Sequence, residues 1–167
     1  MGAVTVATND RALAGILPGR WRVAASNFPM WVDGTRFSPV FSYELLSSDP
    51  LVLADDVSYL TAEGVEKHIL GVDTFVELDF IWRGRGWQRF VSSRWRIGGF
   101  NHDQTIACLH FSRSRVSPAG IDLVVREGVE PPELRRTVAH DAALYGLGPE
   151  EFASLAWLDQ HAPRPPA

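Results

Sequence analysis

Val40-Phe41-Ser42-Tyr43-Glu44-Leu45-Leu46 sets Phe41, Tyr43 and Leu45 on one face of an extended chain and Ser42 and Glu44 on the other. A period of two belongs to a strand, because successive side chains leave opposite faces of the pleat. The neighbouring sequence repeats this design at short intervals. Residues 19–28 precede it as a first strand, and residues 53–61, 65–74, 78–83, 90–97, 105–112 and 120–126 follow. Between them stand turn residues: Ala62-Glu63-Gly64, Arg83-Gly84-Arg85-Gly86, then Gly98-Gly99 with Asn101-His102-Asp103. Eight consecutive strands with frequent turns point to an all-β fold, an antiparallel up-and-down barrel in preference to a sandwich. Such a barrel has room for its own side chains or for one small ligand. Eighteen aromatics, six of them Trp, predict an interior that is narrow and partly filled.

Composition frames that reading. A chain of 167 residues fits one domain, and 46% apolar with 22% charged residues excludes a disordered or collagen-like polymer. No apolar run reaches the roughly 18 residues of a membrane span. Residues 1–18 read as a lead-in with a short helical turn over 10–17, stopped by Pro18 and Gly19; it lacks the marks of a secretory signal. The single Cys108 allows no internal disulfide, so a reducing cytoplasm is the expected setting. After the barrel of residues 19–126, composition changes. Pro131-Pro132-Glu133 starts a helix whose stripe is Leu134, Val138 and Leu144. Gly148-Pro149-Glu150-Glu151 opens another, with Phe152, Leu155, Ala156 and Leu158 apolar. Residues 127–162 are thus a helical segment packed outside the barrel, and 163–167 a frayed tail.

One stretch carries a resemblance. Gly19-Arg20-Trp21, at the head of Arg22-Val23-Ala24-Ala25-Ser26-Asn27-Phe28-Pro29-Met30-Trp31, resembles the Gly-x-Trp signature on the first strand of the lipocalins, a branch of the calycin superfamily. Lipocalins are eight-stranded barrels with a helix after the last strand, and an Arg near the end of that strand lies across the closed base from the Trp. Arg126 holds the matching position. The resemblance therefore implies that Trp21 and Arg126 meet at the base, by cation–π contact and packing. The family's middle signature is approximate at Asn101-His102-Asp103, and the disulfide of its secreted members is absent.

Strand parity nominates the site. Phe41, Tyr43, Val57 and Tyr59 face inward, and Asp55 shares their parity. An inward carboxyl in an apolar cup is harder to ionise and suits general acid–base work; the competing reading is a hydrated strand end. On the fourth strand either Asp73 or His68 faces the cavity, and on the seventh the choice is between Leu109 and His110. Both histidines are kept as candidate ligand contacts, with hydrogen-bonded structural roles as the alternative. Trp82 and Trp95 fall on inner faces while Arg94 and Arg96 fall outside, the pattern of a barrel wall and not of a nucleic-acid platform. The net charge of −4 points the same way, against nucleic acid and anionic membranes. Residues 29–39, with Trp31 and Phe37, form a loop long enough to serve as a lid over the mouth. No metal-ligand spacing, phosphate loop or dinucleotide fingerprint is present, so no metal or cofactor is expected.

The expected function is a monomeric or homodimeric barrel that holds one hydrophobic small molecule. The alternative is a cofactor-free isomerase, cyclase or hydratase for a polyene- or polyketide-like molecule, with Asp55 as acid–base group and Tyr59 and Tyr43 orienting the substrate.

Overall fold

A computed structural model describes residues 9–115 and 117–158. Eight strands run in sequence: β1 Gly19–Ser26, β2 Arg36–Ser48, β3 Leu51–Thr61, β4 Glu66–Val76, β5 Asp79–Gly84, β6 Ser92–Phe100, β7 Ile106–Phe111 and β8 Gly120–Arg126. Each is antiparallel to the next, and β1 closes the ring by pairing with both β8 and β2. Closure leaves the barrel no free edge.

One end is sealed. Helix α1, Asp10–Ile16, is capped by Asn9, whose Oδ1 accepts from the Ala12 amide at 2.9 Å. It buries Leu13 and Ile16, and Leu17 at its C-cap is buried too. Trp21 Nε1 donates to the Leu17 carbonyl at 2.9 Å, and the Arg126 guanidinium lies 4.1 Å from the Trp21 ring centroid. Arg126 also donates to the carbonyls of Pro18 and Ile16, so one side chain fastens the lead-in to the last strand. Gly19 is required at this crowded point: its φ is +119°, and a Cβ there would stand 2.5 Å from Arg126 Nη1.

Apolar residues divide into two clusters. Trp21, Val23, Phe41, Leu53, Phe80, Trp95 and Val124 belong to the interior. Ile106, Cys108, Leu123 and Val125 form a second, on the outer wall of β7 and β8, beneath Val138, Tyr145, Leu147 and Leu155. Strand β8 is buried on both faces, which explains its nearly unbroken apolar run.

The covering segment differs in detail from the expectation. The first helix is shorter: α3 spans Leu134–His140, and a 3-10 turn follows over Ala142–Tyr145. The second ends early. Helix α4, Pro149–Ser154, yields at Leu155 to extended backbone, and Ala156–Trp157 forms strand β9 against Ala25 and Ser26 of β1. Those donors and acceptors of β1 are free because a bulge between Val23 and Ala25 carries the strand away from β2 after Arg22. Leu45 also departs from expectation, being 41% exposed near the end of β2. The expected frayed tail lies outside the described residues. Among the described residues no helix is long and apolar enough to cross a membrane.

Candidate functional site

The loops after β1, β3, β5 and β7 surround the end opposite α1. Inside it lies a cavity of about 140 Å³ that reaches Ser112 and Ser117 on the β7–β8 connection. Its walls are aromatic: Phe28, Trp31, Phe41, Trp82, Trp95 and Phe111, with Met30, Val57 and Ile69 between them. Close strand packing seats the large rings. Gly71 of β4 leaves space for the Trp82 indole, which would stand 2.1 Å from any Cβ there. Below, the rings stack into a floor: Phe80 on Trp95 with centroids 4.3 Å apart, and Trp95 on Tyr43 at 5.9 Å. Trp31 arrives on a short helix, α2 Pro29–Val32, and meets Tyr59 edge-on at 5.9 Å. Proline at the start of α2 suits a first turn, where its missing N–H costs nothing.

Three carboxyl groups are buried in this apolar surround. Asp55 of β3 stands opposite Tyr43 of β2 and Gly71 of β4. Asp73 lies two residues along β4 on the same face, and its Oδ1 accepts from Trp95 Nε1 at 2.8 Å. Asp122 of β8 borders the cavity too, its Oδ1 accepting from Ser26 Oγ at 2.5 Å. Ionised, Asp55 Oδ1 and Asp73 Oδ2 have no donor, and neither has the Tyr43 hydroxyl a partner. Such groups are costly to bury. Burial, with the charge and hydrogen bond of Asp73, accordingly pushes Asp55 well above the usual carboxylate range. Burial also lifts Asp73 to about 6, against the Trp95 hydrogen bond, and Asp122 to about 7, against those from Ser26 and Trp31. Asp55 and Asp73 are best described as one acid and one carboxylate sharing a proton, titrating as a pair. Burial raises the Tyr43 phenol as well, so it stays protonated.

At the level of sequence, no family profile and no curated protein matches the chain. Solved structures do. Lobster apocrustacyanin A1 superposes with a TM-score of 0.63 at 9% identity, covering 96% of this chain and 89% of that one. Apocrustacyanin C1 gives 0.61 at 10% identity over 96% and 89% of the two chains. The siderocalin Ex-FABP gives 0.57 at 13% identity over 87% and 95%. The chain has the lipocalin-like calycin fold.

Within this lipocalin-like barrel, Phe41, Val57, Trp82, Trp95, Trp31 and Asp55 border the cavity. Tyr43 lies in the floor, stacked on Trp95, and Tyr59 stands at the rim, half-buried between Trp31 and the Arg36 guanidinium. The two histidines correct the expectation that they face the ligand. His68 is exposed on the outer wall, with Nδ1 2.8 Å from Asp56 Oδ1. Its strand turns Ile69, Gly71 and Asp73 inward, which settles the parity of β4 in favour of Asp73. His110 also points outward, donating from Nε2 to the Tyr145 carbonyl at 3.2 Å. The inner face of β7 belongs to Ala107, Leu109 and Phe111. Cys108 lies on the outer face beneath the C-terminal segment, where burial pushes its thiol up and leaves it unreactive. Asp122 was not singled out from sequence. Its parity with Arg126 was the available signal: residues 122, 124 and 126 share the inner face of β8.

Proposed function

We propose that this lipocalin-like barrel binds one hydrophobic small molecule in the cavity under Trp31. The observation that carries this reading is the cavity itself: about 140 Å³ of space walled by six aromatic side chains and reaching the mouth loops. Apolar area removed from water contributes roughly 25 cal/mol per Å², so a ring-sized molecule gains useful affinity from these walls alone. The fold neighbours lend support of the same kind, the siderocalin Ex-FABP being described as functioning through dual ligand specificities. The proposed setting is the cytoplasm, as a monomer or homodimer, since the lone buried Cys108 asks for no oxidising compartment. Calorimetric titration with toluene, propylbenzene and indole tests the proposal. One-to-one saturable binding that is lost in Val57→Trp, where the new ring fills the cavity, is the expected result. Flat titrations across all three overturn it.

A second reading is favoured by one specific feature, the protonated carboxyl at Asp55. An acid held neutral by burial beside a cavity is equipped to protonate an alkene or a leaving oxygen, as a cofactor-free isomerase, cyclase or hydratase requires. In this reading Asp55 is the proton donor and Asp73 its partner. Tyr43 and Tyr59 hold the substrate from the floor and the rim. Turnover of a polyene or polyketide substrate that falls in Asp55→Asn, with binding intact, supports it; turnover indifferent to Asp55→Asn, Tyr43→Phe and Tyr59→Phe rejects it.

A further inference from the structure

We propose that the ligand is a small protonated amine carrying an aromatic ring, its ammonium seated on Asp55 and its ring held between Trp31 and Trp82. This rests on the small-molecule reading above and names the chemical class it takes.

The first argument is the charge inventory of the walls. Asp55 and Asp122 border the cavity, and among the described residues no Lys, Arg or His does. The groups that face Asp55 are Tyr43 from β2, Asp73 from β4 and Asp122 from β8; the neighbouring Asp56 turns outward to His68. Strands β5, β6 and β7 and helix α2 present only uncharged side chains there, Trp82, Ser93, Trp95, Phe111, Met30 and Trp31 among them. Every formal charge that the described residues place on the cavity wall is therefore a carboxyl. Arg36, a cation at the rim, is engaged over the Tyr59 ring at 5.4 Å.

The second argument is the unused hydrogen-bonding capacity. Asp55 is 5% exposed and borders the cavity, and beyond the proton it shares with Asp73 its Oδ1 has no donor. Two buried carboxyls with one proton between them are short of donors, which is the exception in folded proteins. A neutral apolar guest offers none. An ammonium offers three donors and a compensating charge, and a charge-assisted hydrogen bond in a desolvated site is among the strong ones.

The third argument is the nature of the rest of the wall. Indole faces attract cations through their quadrupole, more so when water is excluded. A cavity near 150 Å³ takes up a benzene-sized guest, so about 140 Å³ seats one aromatic ring. Aromatic walls for the ring and carboxyls for the head together describe an arylalkylamine. Seating its ammonium draws Asp55 into its ionised form, and the proton that the acid pair had shared leaves to solvent.

The test is isothermal titration of the intact protein at pH 7 with 2-phenylethylamine and with propylbenzene, each in phosphate and in Tris. We expect the amine to bind about tenfold tighter or more, with an enthalpy that differs between buffers because a proton is released. Propylbenzene should show no such buffer dependence. Asp55→Asn should bring the affinity ratio of amine to propylbenzene close to one. Since the wild-type comparison needs no variant, poor folding of Asp55→Asn leaves the test intact. Propylbenzene binding as tightly as the amine overturns the amine class while the hydrophobic-ligand reading stands. Failure of both ligands overturns both. Tighter amine binding that survives Asp55→Asn removes the ammonium from Asp55.

Discussion

Trp95 Nε1 donates to Asp73 Oδ1 at 2.8 Å, and this bond ties the aromatic floor to the buried acids. Trp95 is fully buried, stacked on Phe80 from one side and Tyr43 from another, so the indole cannot turn away without breaking the floor. The indole N–H is therefore a fixed donor that stabilises the ionised form of Asp73 and leaves the shared proton on Asp55. Trp95→Phe keeps the ring and removes the donor. It should lower stability by about 1–3 kcal/mol and move the Asp73 titration above 6. Urea unfolding and a carboxyl ¹³C pH titration measure the two effects.

The same acids fix the sign of the pH dependence. Asp55, Asp73 and Asp122 are all harder to ionise in the folded chain than in the unfolded one, where an aspartate titrates near 4. Between that value and their raised folded values the folded chain binds more protons. Its stability therefore falls as pH rises through the window and levels off above it. Asp73 at about 6 and Asp122 at about 7 place most of the loss between pH 4 and pH 7. The urea midpoint should be higher at pH 5 than at pH 7.5. Asp122→Asn should flatten the upper part of the curve, provided the amide still accepts from Ser26. A midpoint that climbs steadily from pH 5 to pH 7.5 would contradict the burial of these groups as ionisable acids.

Parity carried the sequence reading wherever a strand stayed regular. Strand β8 has the expected bounds, and Phe41, Val57, Trp82 and Trp95 reach the cavity because no bulge intervenes on their inner faces. It failed where apolar side chains lie on both faces. Strand β4 exposes Leu70 outside while placing Asp73 inside, so hydrophobicity alone does not separate His68 from Asp73. Strand β7 is covered on its outer face by Tyr145, which hides the usual polar alternation and made His110 look inward. Ser26 was invisible for another reason: the bulge after Val23 returns it to the inner face, against Asp122. The carboxyl pair itself is a diagonal contact across β3 and β4, legible only once the register sets Asp55 opposite Gly71.

At the base, the Trp21–Arg126 contact predicts an unequal pair of mutants. Trp21→Ala removes a fully buried ring and its bond to Leu17, and should cost about 3–5 kcal/mol. Gly19→Ala adds only a methyl, yet it meets Arg126 Nη1 at 2.5 Å with φ at +119°, so it too should destabilise by more than a surface change. Thermal unfolding of both variants against an exposed control such as Gly128→Ala does not separate space from strain, because Gly128 also has positive φ. Gly15→Ala, with open space around it, is the better control.

Trp31 closes the mouth against Tyr59 and is itself 5% exposed. As a lid it should slow ligand exchange in both directions more than it sets affinity. Trp31→Ala is expected to raise the association and dissociation rates of propylbenzene about tenfold or more, with a smaller change in their ratio. Stopped-flow tryptophan fluorescence measures both rates. Unchanged rates would make the loop ordinary packing.

The account stands on occupancy of the cavity, and ligand-to-protein nuclear Overhauser effects test that most directly. With methyl-labelled protein and saturating propylbenzene, ring protons should show cross-peaks to the methyls of Met30, Val57 and Ile69, which border the cavity. Cross-peaks confined to Leu46, Leu78 and Val76, exposed on the outside of the barrel, would contradict it.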